Sequence, residues 1–586
     1  MPGRLVLPFE YQHEITCDHG PRCPVNQCSK PLKEAAAGCP SLFEYIHWLP
    51  IDKIGMPDFY PKLSRDMASL DRRNLIYPIK EGLYVHLFPD PKGERDRYIP
   101  IEPHLTINLN ETLAQVELRL LDFVEKIGAA ESLEEKEIEL LKAIDKIVTI
   151  DPTGLLRKQA TDLSASKSNG KSNGNGNNAA ANKVILNPRE MDAIKYLLVR
   201  DKIGFALLAP FLLDTYIEDI SCSGVGFIFI EHKIFKSIQA AINFETEDDV
   251  DEFVVWMGEW IKRPVTVRNP IVDAVLPDGS RINIVYGTDV SKRGSNFTIR
   301  KFSDVPVSIT ELIEFGTLDY LMASYLSFVL EEGMNLFVCG ATASGKTTTM
   351  NAITTFIRPD KKIVSIEDTP ELQVPHKNWI RETTRGSGKE HTGSEVGMFD
   401  LLKAALRQRP DRIIVGEIRG EEGAIAFQAM QTGHGVMSTF HAASVEKLIQ
   451  RLTGDPINIP KSYVDILDVV LIQAAVKIAG RGMARRVTSI NEIVGYDPTS
   501  ESFSFIEVFK WNPATDTFDF PGFMNSYLLE EKVALKRGIP PFKKKVIYTE
   551  LKRRAKILQR LHVERKLKNF YDVFAVLAEA QRQGLL

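Results

Sequence analysis

The residues with the clearest chemistry are Gly340-Ala341-Thr342-Ala343-Ser344-Gly345-Lys346-Thr347-Thr348. Two glycines bracket four small residues, and a lysine and hydroxyls follow. An apolar run, Leu336–Cys339, precedes them and reads as a buried strand, and Thr348–Ile353 reads as the start of a helix. Strand, glycine-rich turn and helix is the setting of a phosphate-binding loop. Gly340 and Gly345 let successive backbone N–H groups turn inward toward phosphate oxygens, and the helix N-terminus adds partial positive charge. Lys346 has the length to reach the β- and γ-phosphates, and the Thr347 hydroxyl suits Mg²⁺. The competing reading is a merely structural glycine-rich turn, and the flanking strand and helix weigh against it.

Three further strand-like runs end in polar groups. Ile363–Ile366 runs into Glu367 and Asp368, Arg412–Gly416 into Glu417, and Val436–Phe440 into His441, with His434 just before that last strand. Helical patterns separate them, at Leu401–Gln408 and Ala424–Met430, after an earlier helix at Leu318–Leu330. Alternating strands and helices predict an α/β fold with a largely parallel sheet, whose ligands sit at the carboxyl ends of strands. Lys346 with Thr347, Glu367, Glu417 and His441 would then converge. A lone histidine is usually structural, but two flanking one strand in a glycine-rich setting are about as well read as functional.

Four of the six cysteines, Cys17, Cys23, Cys28 and Cys39, fall within residues 1–40, among prolines and glycines and beside His13 and His19. Thiolates on a turn-rich segment suit tetrahedral zinc, although the spacing is not that of paired CxxC knuckles. An iron–sulfur centre or unligated thiols are the alternatives.

The chain has 586 residues, too many for one core. Its 44% hydrophobic and 26% charged content is that of a globular protein, and a net charge of −4 gives no global attraction to nucleic acid. No apolar run approaches the ~20 residues of a membrane-spanning helix. Met1–Arg4 opens no signal-peptide pattern, so a cytoplasmic location is expected, with any membrane contact peripheral. Beyond the cysteine-rich 1–40, an N-terminal docking domain is expected over 41–162, with strands at Tyr77–Ile79 and Tyr84–Leu87 and helices at Leu113–Ile127 and Leu133–Val148. Residues 163–183, rich in Ser, Asn and Gly, read as a linker. A second domain over 184–305 holds a helix near Met191–Val199, a strand at Gly226–Ile230 and a hairpin turning at Pro277-Asp278-Gly279. The nucleotide domain and a C-terminal extension occupy 306–586, with an antiparallel pair, Val487–Val494 and Phe503–Phe509, and a basic stretch between Lys532 and Lys568. Most such stretches are solvated helix faces; contact with anionic lipid or an acidic partner is the alternative.

Four boxes together resemble the secretion ATPase superfamily, the motors of type II secretion, type IV pili, the archaellum and type IV secretion. They are the phosphate loop, the acidic box Ile366–Leu372, an atypical Walker B strand Arg409–Arg419, and the histidine box Thr432–Ala442. They stand in family order. The resemblance runs upstream through Ile217–Ile220, the hairpin carrying Arg281, and Phe297–Phe302, covering residues from about 184 to 480. It is weaker over 41–151 and the tail, where the similarity is to archaeal members.

The resemblance implies a RecA-like P-loop ATPase domain preceded by a PAS-like α+β domain and a further N-terminal α+β domain, assembled as a ring hexamer with the active site between domains. It implies ATP and Mg²⁺ as ligands. Lys346 and Thr347 match the phosphate and Mg²⁺ contacts, Glu367 the carboxylate that positions or deprotonates water, and Glu417 the Walker B glutamate near Mg²⁺. His434 and His441 match residues that sense the γ-phosphate. Arg281 and Arg300, which alone would read as surface ion-pair partners, match arginines that close over the nucleotide, and Arg381 matches a further family arginine. The implied function is a motor at the inner face of the cell membrane that powers a pilus-like filament, archaellum or pseudopilus through a polytopic membrane platform protein. The alternatives are a conjugation-type DNA or protein transfer ATPase and a nucleotide-gated scaffold with little turnover. No basic groove interleaved with aromatics is evident, so no specific nucleic acid is expected.

Overall fold

The computed structural model describes residues 3–11, 23–90, 94–152, 183–302, 305–385, 396–478 and 482–585. The chain forms two compact units, Met1–Phe302 and Ser303–Leu586.

The first unit is built on one sheet of eleven strands. Ile271–Val275, Arg281–Val285, Asn296–Arg300, Ile217–Cys222, Gly226–His232 and Lys236–Phe244 lie in that order, mostly antiparallel. The sheet then continues, without a break, into Arg97–Ile101, Leu83–Phe88, Leu75–Lys80 and Asp58–Phe59. The join is a parallel pairing, Gln239 with Arg97 and Ala240 with Tyr98. Segments read from sequence as separate domains over 41–162 and 184–305 therefore share a backbone ladder. The strand Arg4–Leu5 joins it too, pairing with Asn243 and Ile242. One side of the sheet is covered by the helix Glu247–Trp260, started by a reciprocal Thr246–Asp249 cap. The helices Lys30–Gly38 and Pro40–Trp48 bury Leu32, Leu42, Tyr45 and Ile46 in a second core with Ile76, Ile99 and Ile101.

A third core lies in a helical layer. Asn110–Leu120, Leu133–Ile147 and Pro188–Lys202 bury Val116, Ile144, Ile194 and Leu198 together. Strands Val148–Ile150 and Val184–Leu186 pair in parallel. The chain thus returns to the same core on the far side of the Ser/Asn/Gly stretch, which itself lies outside the described residues. The physical reason is that an amphipathic helix must cover its apolar face, and the cover for Leu133–Ile147 comes from beyond that stretch.

The second unit holds a nine-stranded sheet in the order Trp379–Thr383, Ile363–Glu367, Arg412–Glu417, Gly435–Phe440, Leu336–Cys339, Val469–Ile478, Gly482–Asp497, Ser502–Asn512 and Thr517–Asp519. The first six are parallel and the last three extend them antiparallel. Helices on both faces explain the continuous apolar runs. In Leu336–Cys339, for example, Leu336 and Val338 pack with Met322, Met350 and Leu551, whereas Phe337 and Cys339 pack with Leu402, Phe427 and Leu448. One charge is buried at the amino edge of this sheet. The Arg412 guanidinium donates to the carbonyl oxygens of Met334 (2.7 Å) and Leu330 (2.9 Å), satisfying acceptors at the end of the helix Tyr320–Glu331. Burial lowers its pKa to about 10, still far above neutrality. Arg412→Ala removes two charge-assisted hydrogen bonds and leaves a cavity, and is expected to cost about 3 kcal/mol in urea unfolding.

Candidate active site

Parallel alignment puts the carboxyl ends of the central strands on one edge. Cys339 is level with Phe440, Ile366 with Val415, and Glu417 with Thr439. The chain leaving Cys339 turns at Gly340, whose N–H donates to the Phe440 carbonyl (3.2 Å). A Cβ on Gly340 would stand 2.2 Å from the Gln473 carbonyl oxygen and 2.6 Å from Ser344 Oγ, so only glycine fits. Ala343 and Gly345 adopt left-handed conformations (φ 61° and 94°), and the helix Lys346–Thr354 begins directly after. Lys346 Nζ donates to the carbonyls of Gly340 (3.1 Å) and Ala341 (3.0 Å), curled over the loop. Its pKa is lowered, chiefly by burial, with Glu417 opposing. Thr342 Oγ1 lies 3.2 Å from His441 Nε2.

Glu367 is 2% exposed. One carboxylate oxygen accepts from the N–H groups of Glu371 and Leu372, both at 2.8 Å. The other faces Arg381 Nε at 3.5 Å, too far for a good hydrogen bond, and is left without one. Burial pushes the Glu367 pKa up to about 6, against the pull of those N–H groups and of Arg381. Asn351, on the helix behind the loop, donates to the Glu371 carbonyl and accepts from Gln373 N–H, tying the acidic box to that helix. Glu417 is gripped by Arg419 through one oxygen, while its Oε1 is buried, unbonded, and 3.9 Å from His441 Nε2. Gly416 lets the two acidic strands close up: a Cβ there would meet Glu367 Cγ at 3.1 Å. The His441 pKa is lowered, first by burial and then by Lys346, which keeps the imidazole neutral at pH 7.

Lys346, Thr347, Glu367, Glu417 and His441 are thus brought to one edge. His434 is not. It precedes Gly435–Phe440, at the opposite end of that strand from His441, where its Nδ1 shares a hydrogen bond with Thr432 Oγ1 (3.0 Å). A six-residue strand separates the two rings by about 20 Å, so they cannot act on one phosphate. Arg281 and Arg300 belong to the first unit, directly paired across adjacent strands, with Arg300 Nε 3.1 Å from Asp219. Two exposed arginines side by side repel unless an anion joins them.

The sequence reading missed the strand Val469–Ile478 and with it two neighbours of the loop. Gln473 packs its carbonyl on Gly340, and Arg485, from the next strand, donates to the Ala343 carbonyl at 3.1 Å. Neither belongs to a local motif; only the pairing of Leu336–Cys339 with Val469–Ile472 brings them in.

The zinc reading is corrected. Cys17 lies outside the described residues, as do His13 and His19. Cys23, Cys28 and Cys39 are buried free thiols with separate partners: His47 Nε2 (3.4 Å), Met56 Sδ (3.5 Å) and Ser41 Oγ (3.2 Å) respectively. The described part of the segment folds as short helices with these cysteines at their ends, and burial raises the Cys28 thiol to about 11, away from the thiolate that zinc needs. Among the described residues no cluster of His, Cys, Asp or Glu is arranged to hold a metal.

A family model described as "Type II/IV secretion system protein" matches residues 202–487. Protein MJ0900 of Methanocaldococcus jannaschii is 43% identical over 94% of this chain and 97% of its own length. The type IV secretion system protein PtlH of Bordetella pertussis is 30% identical, covering 42% of this chain and 81% of PtlH. Among solved structures, the pilus retraction motor PilT with bound ADP aligns at 22% identity and a TM-score of 0.36, over 48% of this chain and 80% of that one. The chain belongs to the type II/IV secretion system protein family.

The raised pKa of Glu367 carries a stability consequence. Its ionised form is penalised in the folded state, so the penalty is present above about pH 6 and fades as pH falls and the carboxyl protonates. Glu367→Gln keeps the acceptor for Glu371 and Leu372 and removes the charge. It is expected to stabilise the fold by about 2 kcal/mol at pH 8, with the gain shrinking toward pH 5 in thermal denaturation.

Proposed function

We propose that this chain is a mechanochemical ATPase that hydrolyses ATP at the carboxyl edge of the second unit's sheet. The observation that carries this reading is the convergence there of Lys346, Thr347, Glu367, Glu417 and His441 around a loop that admits no Cβ at Gly340. The donor set fits a nucleotide with its metal: Ser344 Oγ and Glu417 Oε1 are buried without hydrogen-bond partners among the described residues, beside a lysine and a threonine hydroxyl. Thr347 and Glu417 would hold Mg²⁺, which neutralises phosphate charge when bound. Lys346 would exchange its two loop carbonyls for phosphate oxygens. Glu367, whose pKa burial raises to about 6, takes the proton from the attacking water. Phosphoryl transfer asks for little more than positioning and charge neutralisation. His441, neutral and bridged to the loop through Thr342, is placed to report loop occupancy, and the family resemblance assigns Arg281 and Arg300 a part in turnover.

In the finer reading, a RecA-like domain and a PAS-like domain assemble as a homohexamer that docks on a polytopic platform protein at the cytoplasmic face of the membrane and powers a pilus-like filament, archaellum or pseudopilus. The similarity to PtlH supports a second reading, a transfer ATPase of the type IV secretion kind, which is distinguished by turnover that depends on DNA or a transferred protein.

Lys346→Ala and Glu417→Gln are each expected to lower steady-state ATP turnover at least ~100-fold; near-normal turnover in either rules the site out. With Glu367 as the base, kcat is expected to fall below about pH 6 as its carboxyl protonates. A pH–rate profile flat from pH 5 to 8 excludes it from that role. Arg281→Ala is expected to reduce kcat more than nucleotide binding, read by turnover alongside titration of a fluorescent ATP analogue. Sizing with and without ATP checks the hexamer.

A further inference from the structure

The C-terminal part of the second unit carries a surface that the nucleotide site does not use. Between Lys532 and Lys568 the chain has fourteen Lys or Arg and two Glu, in a protein whose net charge is −4. Much of that positive charge is already spent on structure. Arg537 and Arg554 pair with Glu331, Arg553 with Glu550, and Lys568 with Glu314. Lys544 reaches back to Glu530 and Glu531 and pins the turn Pro541–Val546 onto the preceding helical segment. Several cations of the stretch stay outside these pairs, and two of them lie on that turn: among the described residues no acidic side chain forms an ion pair with Lys543 or Lys545.

Between these two lysines and Pro541 stands Phe542, 83% exposed, the most exposed large apolar side chain among the described residues. Val546 on the same turn and Leu535 on the helical turn that packs against it are each 53% exposed. The turn is rigid. Pro540 and Pro541 fix its entry, and Ile547 and Tyr548 anchor its exit in the core. Lys543 Nζ lies 5.7 Å from the Phe542 ring centroid, so cation and ring travel together. A scattered exposed leucine needs no explanation, but an aromatic ring held out on a stiff turn just before two lysines without acidic partners does.

We propose that the Pro541–Val546 turn is a membrane-contact surface that docks on anionic lipid, with Phe542 entering the interface and Lys543 and Lys545 meeting the headgroups. Lipid is favoured over an acidic protein because the apolar group projects from a convex turn. A projecting ring suits the headgroup–acyl boundary, where aromatic and basic side chains anchor peripheral proteins. This deepens the membrane-side placement proposed above and rests on it only for where the surface would be presented; the lipid contact itself is independent of nucleotide chemistry.

The test is flotation of the full chain with vesicles of phosphatidylcholine alone or with roughly one-third phosphatidylglycerol. Binding is expected only with the anionic vesicles and is expected to weaken as salt rises from ~0.1 to ~0.5 M. Lys543→Gln and Lys545→Gln should each lower partitioning about fivefold, the equivalent of about 1 kcal/mol per cation, and Phe542→Ser about tenfold or more. Thermal melting checks that the three variants remain folded, and their ATP turnover in the absence of vesicles should be unchanged. Lys346→Ala should float like the unmodified chain, so failure of the nucleotide reading and failure of this one are separable. Equal binding to neutral vesicles, anionic binding unaffected by all three variants, or no anionic binding overturns the proposal; a poly-glutamate peptide that binds this turn when anionic vesicles do not replaces it with an acidic protein partner.

Discussion

Among the described glycines of the second unit, Gly340 has the least room for a side chain, because a Cβ there would run into the backbone of Gln473, and the loop depends on that fit. With no room for a Cβ, the loop lies flat on the strand Val469–Ile478 as it leaves its own strand. That fixes where the loop's N–H groups aim and where Lys346 starts. The same strand carries the chain into Arg485, which holds the Ala343 carbonyl, so the loop is braced from the side away from the acidic residues. A strand with no chemistry of its own therefore sets the geometry of the strand that has it.

Opposite this brace, the two acidic strand ends are held in different electrostatic states. Glu417 keeps company with cations and a half-open surface, whereas Glu367 is sealed in by Gly416 and the acidic-box backbone. The first environment suits charge that must stay, the second charge that is easily neutralised. Burial and the acidic-box N–H groups set Glu367 apart from its neighbour Glu417, which meets Arg419 and approaches His441.

Local chemistry was legible in the chain, and long-range pairing was not. The phosphate loop, the acidic and histidine boxes and most second-unit strands carry signals within about ten residues of themselves, such as an apolar run ending in a polar group. His434 and His441 flank one strand in the sequence and stand at its opposite ends in the fold, so a match to one box does not bring both side chains to one place. Domain boundaries depend on such long-range pairing too. A Ser/Asn/Gly stretch looks like a boundary in composition, yet whether it divides two cores depends on what its flanks pair with, and Val148–Ile150 pairs with Val184–Leu186. The cysteines show the limit of counting. Cys23, Cys28 and Cys39 sit at helix ends, each with its own partner, so nearness in sequence does not make them a ligand set.

That parallel pairing across the Ser/Asn/Gly stretch has a consequence for engineering. The backbone leaves the helical layer just after Asp151, whose N–H donates to the Leu186 carbonyl, and re-enters at Val184, so both ends are fixed by one ladder. The entropy of bringing two chain points together grows only with the logarithm of the length between them, about 0.6 kcal/mol for each doubling. The ladder asks only that its two ends meet, so a change in chain length between Asp151 and Val184 is expected to leave the pairing of Val148–Ile150 with Val184–Leu186 in place.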